Sequence, residues 1–305
     1  MIIQNKLVAV IGPTASGKSD LAVRLAKKFN GEIISADSRQ VYRGMNIGSG
    51  KVTRKEMAGI PHHLLNVASP RTNFGAGLFQ KKARLAVAKI QRKGKLPILA
   101  GGTGFFVDAL LLGTVLPPVK PNWSMRKKLD AKSPEELFKM IEKRDPVTAH
   151  RIDRHNPRRL IRALEIILVT QKPIQRISYD PMPGALIIGL NIPEKRLKKL
   201  IAARLDARLK KGLVAETARL KNSGLSWKRL EGFGLEYRYT ALYLQKKITR
   251  REMIDSIQKE SVKYAKRQMA WFKKYRGARW IKKSGEADKL VSAYINGGRN
   301  KEKKA

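Results

Sequence analysis

A glycine-rich segment, GPTASGKS from Gly12 to Ser19, constrains the fold of this chain more than any other feature. The apolar run LVAVI, from Leu7 to Ile11, precedes it. The residues that follow have apolar side chains at helical spacing, with Leu21 and Leu25 on one face. A strand that enters a glycine-rich turn and continues as a helix is typical of a parallel α/β sheet. The sequence therefore predicts an α/β fold.

The pattern G-x-x-x-x-G-K-S in this context predicts a phosphate-binding loop, or P-loop. Glycines let successive backbone N–H groups point at phosphate oxygens, and the N terminus of the following helix adds partial positive charge. We expect Lys18 to neutralise a terminal phosphate and Ser19 to ligate Mg²⁺. The predicted diphosphate-binding residues are Gly12, Pro13, Thr14, Ala15, Ser16, Gly17, Lys18 and Ser19. The loop indicates a diphosphate or a triphosphate, without indicating which molecule carries it.

Further apolar runs predict the other strands of a P-loop NTPase-like parallel sheet, at Glu32–Ala36, Leu96–Ala100 and Ala185–Ile192. Between them the character changes: strand-like runs are absent, and helix starts such as Ser133-Pro134-Glu135-Glu136 follow one another. We therefore expect a discontinuous P-loop core, a small all-helical insertion domain and a basic tail. Their predicted bounds are 1–116 with 185–290, 117–184 and 291–305.

The charge balance is strongly basic. Lysine and arginine number 65 against 24 acidic residues, a formal net charge of +41, and such a surface attracts polyanions. Nucleic acid is the expected partner, although a lysine-rich proteome would produce a similar excess.

The absence of cysteine from the chain excludes a disulfide framework and cysteine-ligated zinc. The first residues lack the pattern of a signal peptide, and no apolar run is long enough to cross a bilayer. We therefore expect a cytoplasmic protein without membrane contact. A monomer is also expected.

Asp37 is the candidate catalytic carboxylate. Most ATP-hydrolysing proteins with such a loop place an acidic residue after a further apolar strand, but here LPILA runs into Gly101–Gly104 without one. The acidic residue instead follows the second strand, in SADSRQVY. That position brings Asp37 to the carboxyl edge of the sheet, where ligands bind in open α/β folds. A turn aspartate that only caps Ser38 or Arg39 is the alternative.

Together with the loop, five further blocks resemble the tRNA dimethylallyltransferase family, also called the tRNA isopentenyltransferase or IPP transferase family. They occur in the family's order between Leu7 and Trp280: ISADSRQVYRGMNIGSGK, IPHHLLNVASP, PILAGGTGFFVDALLLG, NPRRLIRALEI and YAKRQMAWF. Six ordered blocks are far more specific than the phosphate loop alone. The resemblance implies transfer of a dimethylallyl group from dimethylallyl diphosphate to an adenosine next to the anticodon of a tRNA.

The resemblance also implies roles for individual residues. The loop would hold the donor diphosphate rather than ATP, Asp37 would act as general base, Thr103 would lie near the site, and Arg204 would contact the diphosphate. Lys18, Mg²⁺ and Arg204 would neutralise the leaving group. The implied tRNA contacts are Asp37, Ser38, Arg39, Gln40, Thr103, Arg126, Arg158, Arg159 and Arg162.

The residues leave local alternatives open. From spacing alone, the arginines between Arg158 and Arg162 equally suit a solvated helix face paired with Glu165. His62 and His63 are adjacent and so unsuited to share one metal ion, and packing or hydrogen bonding is expected there. Phe105 and Phe106 replace the Leu-Tyr that is usual in the family and are expected to form an aromatic wall.

Three other functions remain possible from the residues alone. The chain could prenylate free adenine nucleotides, although that reaction would need neither the insertion nor the charge. It could be a nucleotide kinase, which the missing carboxylate after LPILA disfavours. It could also bind nucleic acid and use the phosphate loop only for regulation.

Overall fold

A six-stranded, wholly parallel sheet forms the centre of the computed structural model, which describes residues 6–114, 117, 119–175, 182 and 184–297. The strand order is β3-β2-β4-β1-β5-β6. The strands are β1 (Val8–Ile11), β2 (Gly31–Ser35), β3 (His62–His63), β4 (Leu96–Gly101), β5 (Leu186–Leu190) and β6 (Arg279–Ile281). The prediction of a parallel α/β fold is confirmed.

Helices make up most of the remaining chain. In chain order they are α1 (Lys18–Lys28), α2 (Arg54–Met57), α3 (Ala76–Arg92), α4 (Gly104–Leu111), α5 (Trp123–Asp130), α6 (Pro134–Glu142), α7 (Pro146–Arg151), α8 (Pro157–Thr170), α9 (Glu194–Lys210), α10 (Leu213–Asn222), α11 (Trp227–Glu231), α12 (Leu235–Leu244), α13 (Arg250–Phe272) and α14 (Ser284–Asn296).

Both faces of the sheet are covered, which explains the continuous apolar runs of its central strands. Successive side chains of a strand point to opposite faces. Ala9 and Ile11 of β1 therefore belong to one core, with residues of α3 and α4, whereas Val8 and Val10 belong to a second core with residues of α1 and α14. The carboxyl ends of β1, β2 and β4 lie along one edge of the sheet, and the loops that follow them carry the predicted site residues.

The chain divides into two compact units, residues 1–113 with 181–305 and residues 114–180. The second unit contains α5 to α8 around its own core, which includes Leu137, Ile141, Leu160 and Leu164. The predicted helix starts are confirmed there. Ser133 forms a capping box with Glu136, and Asp145 and Asn156 cap helices that begin with proline.

Two details differ from the sequence prediction. The short edge strands β3 and β6 were not predicted, because HH and RWI lack a long apolar run and become strands through pairing with β2 and β5. The predicted start of the basic tail at residue 291 falls inside α14, where Val291 is buried in the core. Residues 298–305 of that tail lie outside the described residues.

Candidate active site at the carboxyl edge of the sheet

The glycine-rich loop connects β1 to α1 and leaves the start of that helix without a side-chain cap. Gly17 is the N-cap residue with φ of 82°, a left-handed conformation that glycine adopts without steric cost. Ser19 is exposed in the first turn. An uncapped first turn presents N–H groups and the positive end of the helix dipole, which suits a phosphate group.

Two basic side chains reach into this loop. Lys18 Nζ donates a hydrogen bond to the carbonyl oxygen of Pro13 at 2.5 Å. From α9, the Arg204 guanidinium donates to the hydroxyl of Thr14 at 2.6 Å. The structure therefore brings together Lys18, Arg204 and the loop, as the family resemblance implied.

The electrostatic state of these cations is unusual. Burial lowers the pKa of Lys18 from 10.5 to about 7; Arg204 lowers it further and Asp37 opposes the shift. Burial and the nearby Arg208 lower the pKa of Arg204 to about 10, against the negative charges of Glu236 and Asp37. Among the described residues, neither Lys18 nor Arg204 forms an ion pair with a carboxylate. The loop thus carries positive charge that a bound anion would neutralise.

Asp37 lies just beyond the end of β2. Its Oδ1 accepts hydrogen bonds from the backbone N–H groups of Arg39 at 2.8 Å and Gln40 at 3.3 Å. This is the turn-capping geometry of the alternative interpretation, but it occupies one carboxylate oxygen only. Within the described part of the chain, Oδ2 has no hydrogen-bond partner, so the same side chain can cap its turn and accept a proton at Oδ2.

Thr103 fastens the turn that contains Asp37. Its hydroxyl oxygen accepts the backbone N–H of Ser38 at 3.0 Å, and its own N–H donates to the Ala36 carbonyl oxygen at 3.2 Å. The approach of these loops requires glycine, because a Cβ on Gly101 would lie 2.2 Å from the Ala36 oxygen. The loop after β4, which lacks a carboxylate, therefore positions the carboxylate supplied by β2.

Gln268 of α13 also belongs to the site, and it was not singled out from the sequence. Gln268 is buried and contacts both the P-loop and Gly102. Burial, together with the negative charge of Asp37, raises the pKa of Tyr264 to about 12. The block YAKRQMAWF marked this region, but its family resemblance did not indicate which side chains point into the site.

The rest of the segment after Asp37 is held by side chains that were not predicted. The buried carboxylate of Glu216 accepts the backbone N–H groups of Asn46, Ile47 and Gly48 at 2.9 to 3.0 Å. Its Oε1 also accepts the hydroxyl of Tyr237 at 2.7 Å. A carboxylate that receives this many donors anchors the loop firmly.

Lys51 closes the same loop from the other end. Its Nζ donates to the Tyr42 carbonyl oxygen at 2.6 Å and to the side-chain oxygens of Asn46 at 3.0 Å and Asn66 at 2.6 Å. Burial lowers the pKa of Lys51 to about 8, although Glu216 opposes the shift.

Arg39 and Gln40, two of the predicted tRNA contacts, are half-exposed. The Gln40 amide donates to the carbonyl oxygen of Gly50 at 3.0 Å, so this side chain also braces the loop.

In the second unit, the predicted arginines surround one buried carboxylate. Arg126 and Arg162 approach Glu165 Oε2 at 2.6 Å and 2.5 Å, and Glu165 itself is completely buried. Burial alone would raise the pKa of Glu165, but hydrogen bonds from both arginines hold it below its usual value. Arg158 and Arg159 lie on the exposed part of α8, where Arg159 is 3.7 Å from Asp153. Arg162 therefore forms the pair with Glu165 that the alternative interpretation predicted. Arg158 and Arg159 instead lie at exposed positions.

The two phenylalanines of GGTGFF lie in different environments, one buried and one exposed. Phe106 is buried and stacks on Phe79 with ring centroids 4.2 Å apart, so it belongs to the core and the expectation that it forms part of a wall is wrong. Phe105 is 61% exposed beside Trp271, at a centroid distance of 4.8 Å. Phe272 is fully buried.

The two adjacent histidines take structural positions. His63 Nε2 lies 2.7 Å from the buried carboxylate of Glu32, and His62 Nδ1 lies 2.8 Å from the Ile60 carbonyl oxygen. Burial lowers the pKa of His62. In the ranges that the structure describes, no group of three or more histidine, aspartate or glutamate side chains could hold a metal ion by itself. Nor does any helix in those ranges have the length and apolarity needed to cross a bilayer.

The strand order, the phosphate loop after β1 and the aspartate after β2 define an α/β protein of the P-loop class. Within that class the sequence profile described as IPP transferase matches residues 40–275, which is most of the chain. The chain belongs to the IPP transferase family, and the resemblance seen in its sequence blocks is confirmed.

Individual relatives agree with this assignment. A protein of Pelotomaculum thermopropionicum described as a tRNA dimethylallyltransferase is 37% identical over 289 residues, covering 92% of each chain. A tRNA dimethylallyltransferase 2 of Treponema denticola is 42% identical over 272 residues, covering 88% of this chain and 91% of the relative.

Two solved structures are also similar. The tRNA isopentenylpyrophosphate transferase of Bacillus halodurans has a TM-score of 0.74 and 34% identity, covering 98% of this chain and 99% of that one. A eukaryotic dimethylallyltransferase, described as acting on tRNA, has a TM-score of 0.81 and 25% identity, covering 97% of this chain and 80% of that one.

Proposed function

We propose that this chain transfers a dimethylallyl group from dimethylallyl diphosphate to the exocyclic amine of the adenosine 3′-adjacent to the anticodon in tRNA, releasing diphosphate. Family membership supports the reaction class. The structural observation that carries the proposal is that Arg204 meets Thr14 in the loop that holds Lys18, and that Asp37 follows β2 at the same edge of the sheet. The cations suit a leaving diphosphate, and the carboxylate suits a nucleophile that must lose a proton.

On the donor side, the loop N–H groups, Lys18 and Arg204 bind the diphosphate. As the bond between the allylic carbon and the diphosphate oxygen breaks, negative charge accumulates on that oxygen, and groups already aimed at it stabilise the transition state without reorganising. The hydroxyl of Thr14 orients Arg204 for this task.

The chain also suits Mg²⁺, which the family chemistry implies. Ser19 is exposed in the first turn of α1, and a magnesium ion bound to phosphates needs few protein ligands because it keeps several waters. Ser19 would hold the ion, which when bound would neutralise phosphate oxygens.

On the acceptor side, Asp37 Oδ2 accepts the proton. The adenine amine is a weak nucleophile because its lone pair is delocalised into the ring, so loss of the N–H proton as the new carbon–nitrogen bond forms lowers the barrier. One carbon–nitrogen bond forms, one carbon–oxygen bond breaks, the proton passes to the Asp37 carboxylate and the electron pair leaves with diphosphate. Thr103 and the backbone of Arg39 and Gln40 keep the carboxylate in place.

The polyanionic acceptor accounts for part of the charge excess. The acceptor adenosine lies in an unpaired loop, and extruding an unpaired base costs little free energy. Ser38, Arg39 and Gln40 directly follow the proposed base and would contact the nucleotides around the extruded adenosine. In the helical unit, Arg158 is exposed and available to phosphates, and Arg159 is exposed beside Asp153.

Incubation with labelled dimethylallyl diphosphate tests the function. Unmodified tRNA with adenosine 3′ to the anticodon is expected to take up label, and a matched tRNA with guanosine at that position is not. Label on AMP alone would make the chain an adenine-nucleotide prenyl transferase. Absence of transfer to any acceptor would refute transferase activity and leave a nucleic-acid-binding protein.

A further inference from the structure

Gln268 bridges two loops of the site with one side-chain amide. Its Oε1 accepts the backbone N–H of Thr14 in the P-loop at 2.7 Å, and its Nε2 donates to the carbonyl oxygen of Gly102 at 2.7 Å. The residue is 6% exposed, and both bonds span more than 160 residues of sequence. An amide that is buried with donor and acceptor both satisfied has a single orientation.

The bridge begins where the pairing of the strands ends. The ladder between β1 and β4 stops at Ile11 and Gly101, and the chains beyond it separate into the P-loop and the loop before α4. Gln268 joins the two chains just past that point. The fit is tight, because a Cβ on Gly102 would lie 2.4 Å from Gln268 Nε2.

Each end of the bridge leads to one half of the reaction. Thr14 receives the guanidinium of Arg204 on its hydroxyl, so this end is the diphosphate cradle. Gly102 precedes Thr103, which holds the N–H of Ser38 in the turn of Asp37, so the other end is the acceptor base. Gln268 therefore stands between the group that holds the leaving diphosphate and the group that takes the proton.

We propose that Gln268 is a positioning residue that sets the spacing between the diphosphate cradle and Asp37, and hence the alignment of allylic carbon and adenine amine. This inference rests on the proposed function. Transfer requires the reacting atoms at about 3–3.5 Å and in line, and a misplacement of about 1 Å can cost about 10²-fold in rate. Each substrate binds mainly to its own loop, so loosening the bridge changes the rate at saturation more than it changes either affinity.

Substitutions at Gln268 separate the two bonds. Gln268→Met keeps the volume and removes both hydrogen bonds, whereas Gln268→Glu keeps the acceptor for Thr14 but sets a carboxylate against the Gly102 oxygen. We expect both variants to lower the transfer rate at saturating donor and tRNA by about tenfold or more, with the KM for each substrate within about threefold of wild type.

Gln245→Met is the matched control, because Gln245 also uses its amide in two hydrogen bonds, to Glu231 and Ala241. It is expected to retain the wild-type rate. A loss of rate in Gln245→Met equal to that in Gln268→Met would reduce the effect to general destabilisation and overturn the positioning role.

A double-mutant cycle guards against a folding defect at Gln268. Gly102→Ala displaces Nε2 from the other side of the same bridge, so its effect on the saturated rate and that of Gln268→Met are expected not to add. Additive effects would overturn the proposal, as would Gln268 variants within twofold of wild type while the wild type transfers label. Absence of wild-type transfer in the same assay would instead refute the proposed function, and the positioning role with it.

Discussion

Arginine serves opposite purposes in the two units of this molecule. In the helical unit, Arg126 and Arg162 are paired with the buried carboxylate of Glu165, which cancels charge and fixes α5 to α8. In the unit that contains the sheet, Arg204 donates to the neutral hydroxyl of Thr14 and, among the described residues, forms no ion pair. Lys18 lies in the same loop and is likewise without an ion pair there. The paired arginines use charge for the stability of the fold, whereas the proposed function assigns the unpaired cations to a bound anion.

The pKa directions follow this division. At Glu165 the cations overcome the burial penalty and lower the pKa of the carboxyl, so the ion pairs favour charge. At Lys18, burial and Arg204 lower the pKa of the amine, so the protonated form of Lys18 is destabilised while no anion is bound. A structural cluster is stabilised by its own partners, whereas a binding cluster becomes stable when its ligand arrives.

The largest expected effect comes from removing the carboxylate proposed as the general base. Asp37→Asn should lower turnover by about 10²-fold or more, because Asn can still cap the turn through Oδ1 but cannot accept the proton. Single-turnover transfer to tRNA measures the effect, together with tRNA affinity, which should change little. Asp20→Asn, in the exposed first turn of α1, is the control; wild-type turnover in Asp37→Asn would rule out the base role.

Glu165→Gln breaks the paired cluster. Two arginines lose their counter-charge in a partly buried place, and we expect the free energy of unfolding of the helical unit to fall by about 2 kcal/mol, less than a fully buried pair would lose because both guanidinium groups keep some solvent contact. Hydrogen exchange of the α8 amides reports it. Glu135→Gln, at an exposed position of α6, should leave the exchange unchanged. Equal protection of the α8 amides in both variants would show that the pairing does not contribute to stability.

Arg204→Gln tests whether the unpaired arginine binds anions. Losing one charge-assisted hydrogen bond of about 1.5–2 kcal/mol should weaken binding of the donor diphosphate about 10–30-fold. The unfolding free energy should stay close to that of wild type, unlike in Glu165→Gln. Calorimetric titration measures the affinity, with Arg196→Gln on the exposed side of α9 as control. Equal affinities of the two variants would place the diphosphate elsewhere.

Donor affinity should also fall as pH rises above 7. The pKa of Lys18 is about 7 in the free protein, so at higher pH the amine is neutral and a bound anion must restore its proton. The loss should approach about tenfold per pH unit until the pKa of the complex is reached. Lys18→Arg stays protonated and should lose this dependence, which separates it from titration of the ligand. Identical pH slopes in the two proteins would contradict the assignment.

The smallest effect is expected at the exposed arginines of α8. Arg158→Ala should weaken tRNA binding a few-fold and reduce the slope of log affinity against log salt by about one, since one phosphate contact is lost. Arg144→Ala, an exposed arginine of the same unit, is the control. An unchanged slope in Arg158→Ala would assign this face to solvent.

Local patterns of the sequence were sufficient for much of the fold. The phosphate loop, the strands next to it and the caps at Ser133, Asp145 and Asn156 involve residues a few positions apart, so spacing and residue type determine them. The edge strands β3 and β6 were missed because pairing with a neighbour, and no pattern of their own, makes them strands.

For the site, the sequence determined which groups are available: a phosphate loop, a carboxylate after β2 and a loop after β4 without one. Only the tertiary structure decided that Arg204 meets Thr14, that Glu216 anchors the loop after Asp37 and that Gln268 ties the P-loop to Gly102. It also decided that Arg126 meets Glu165 across the helical unit. These contacts join residues far apart in the chain, and their energies depend on burial and charge that exist only once the chain has folded.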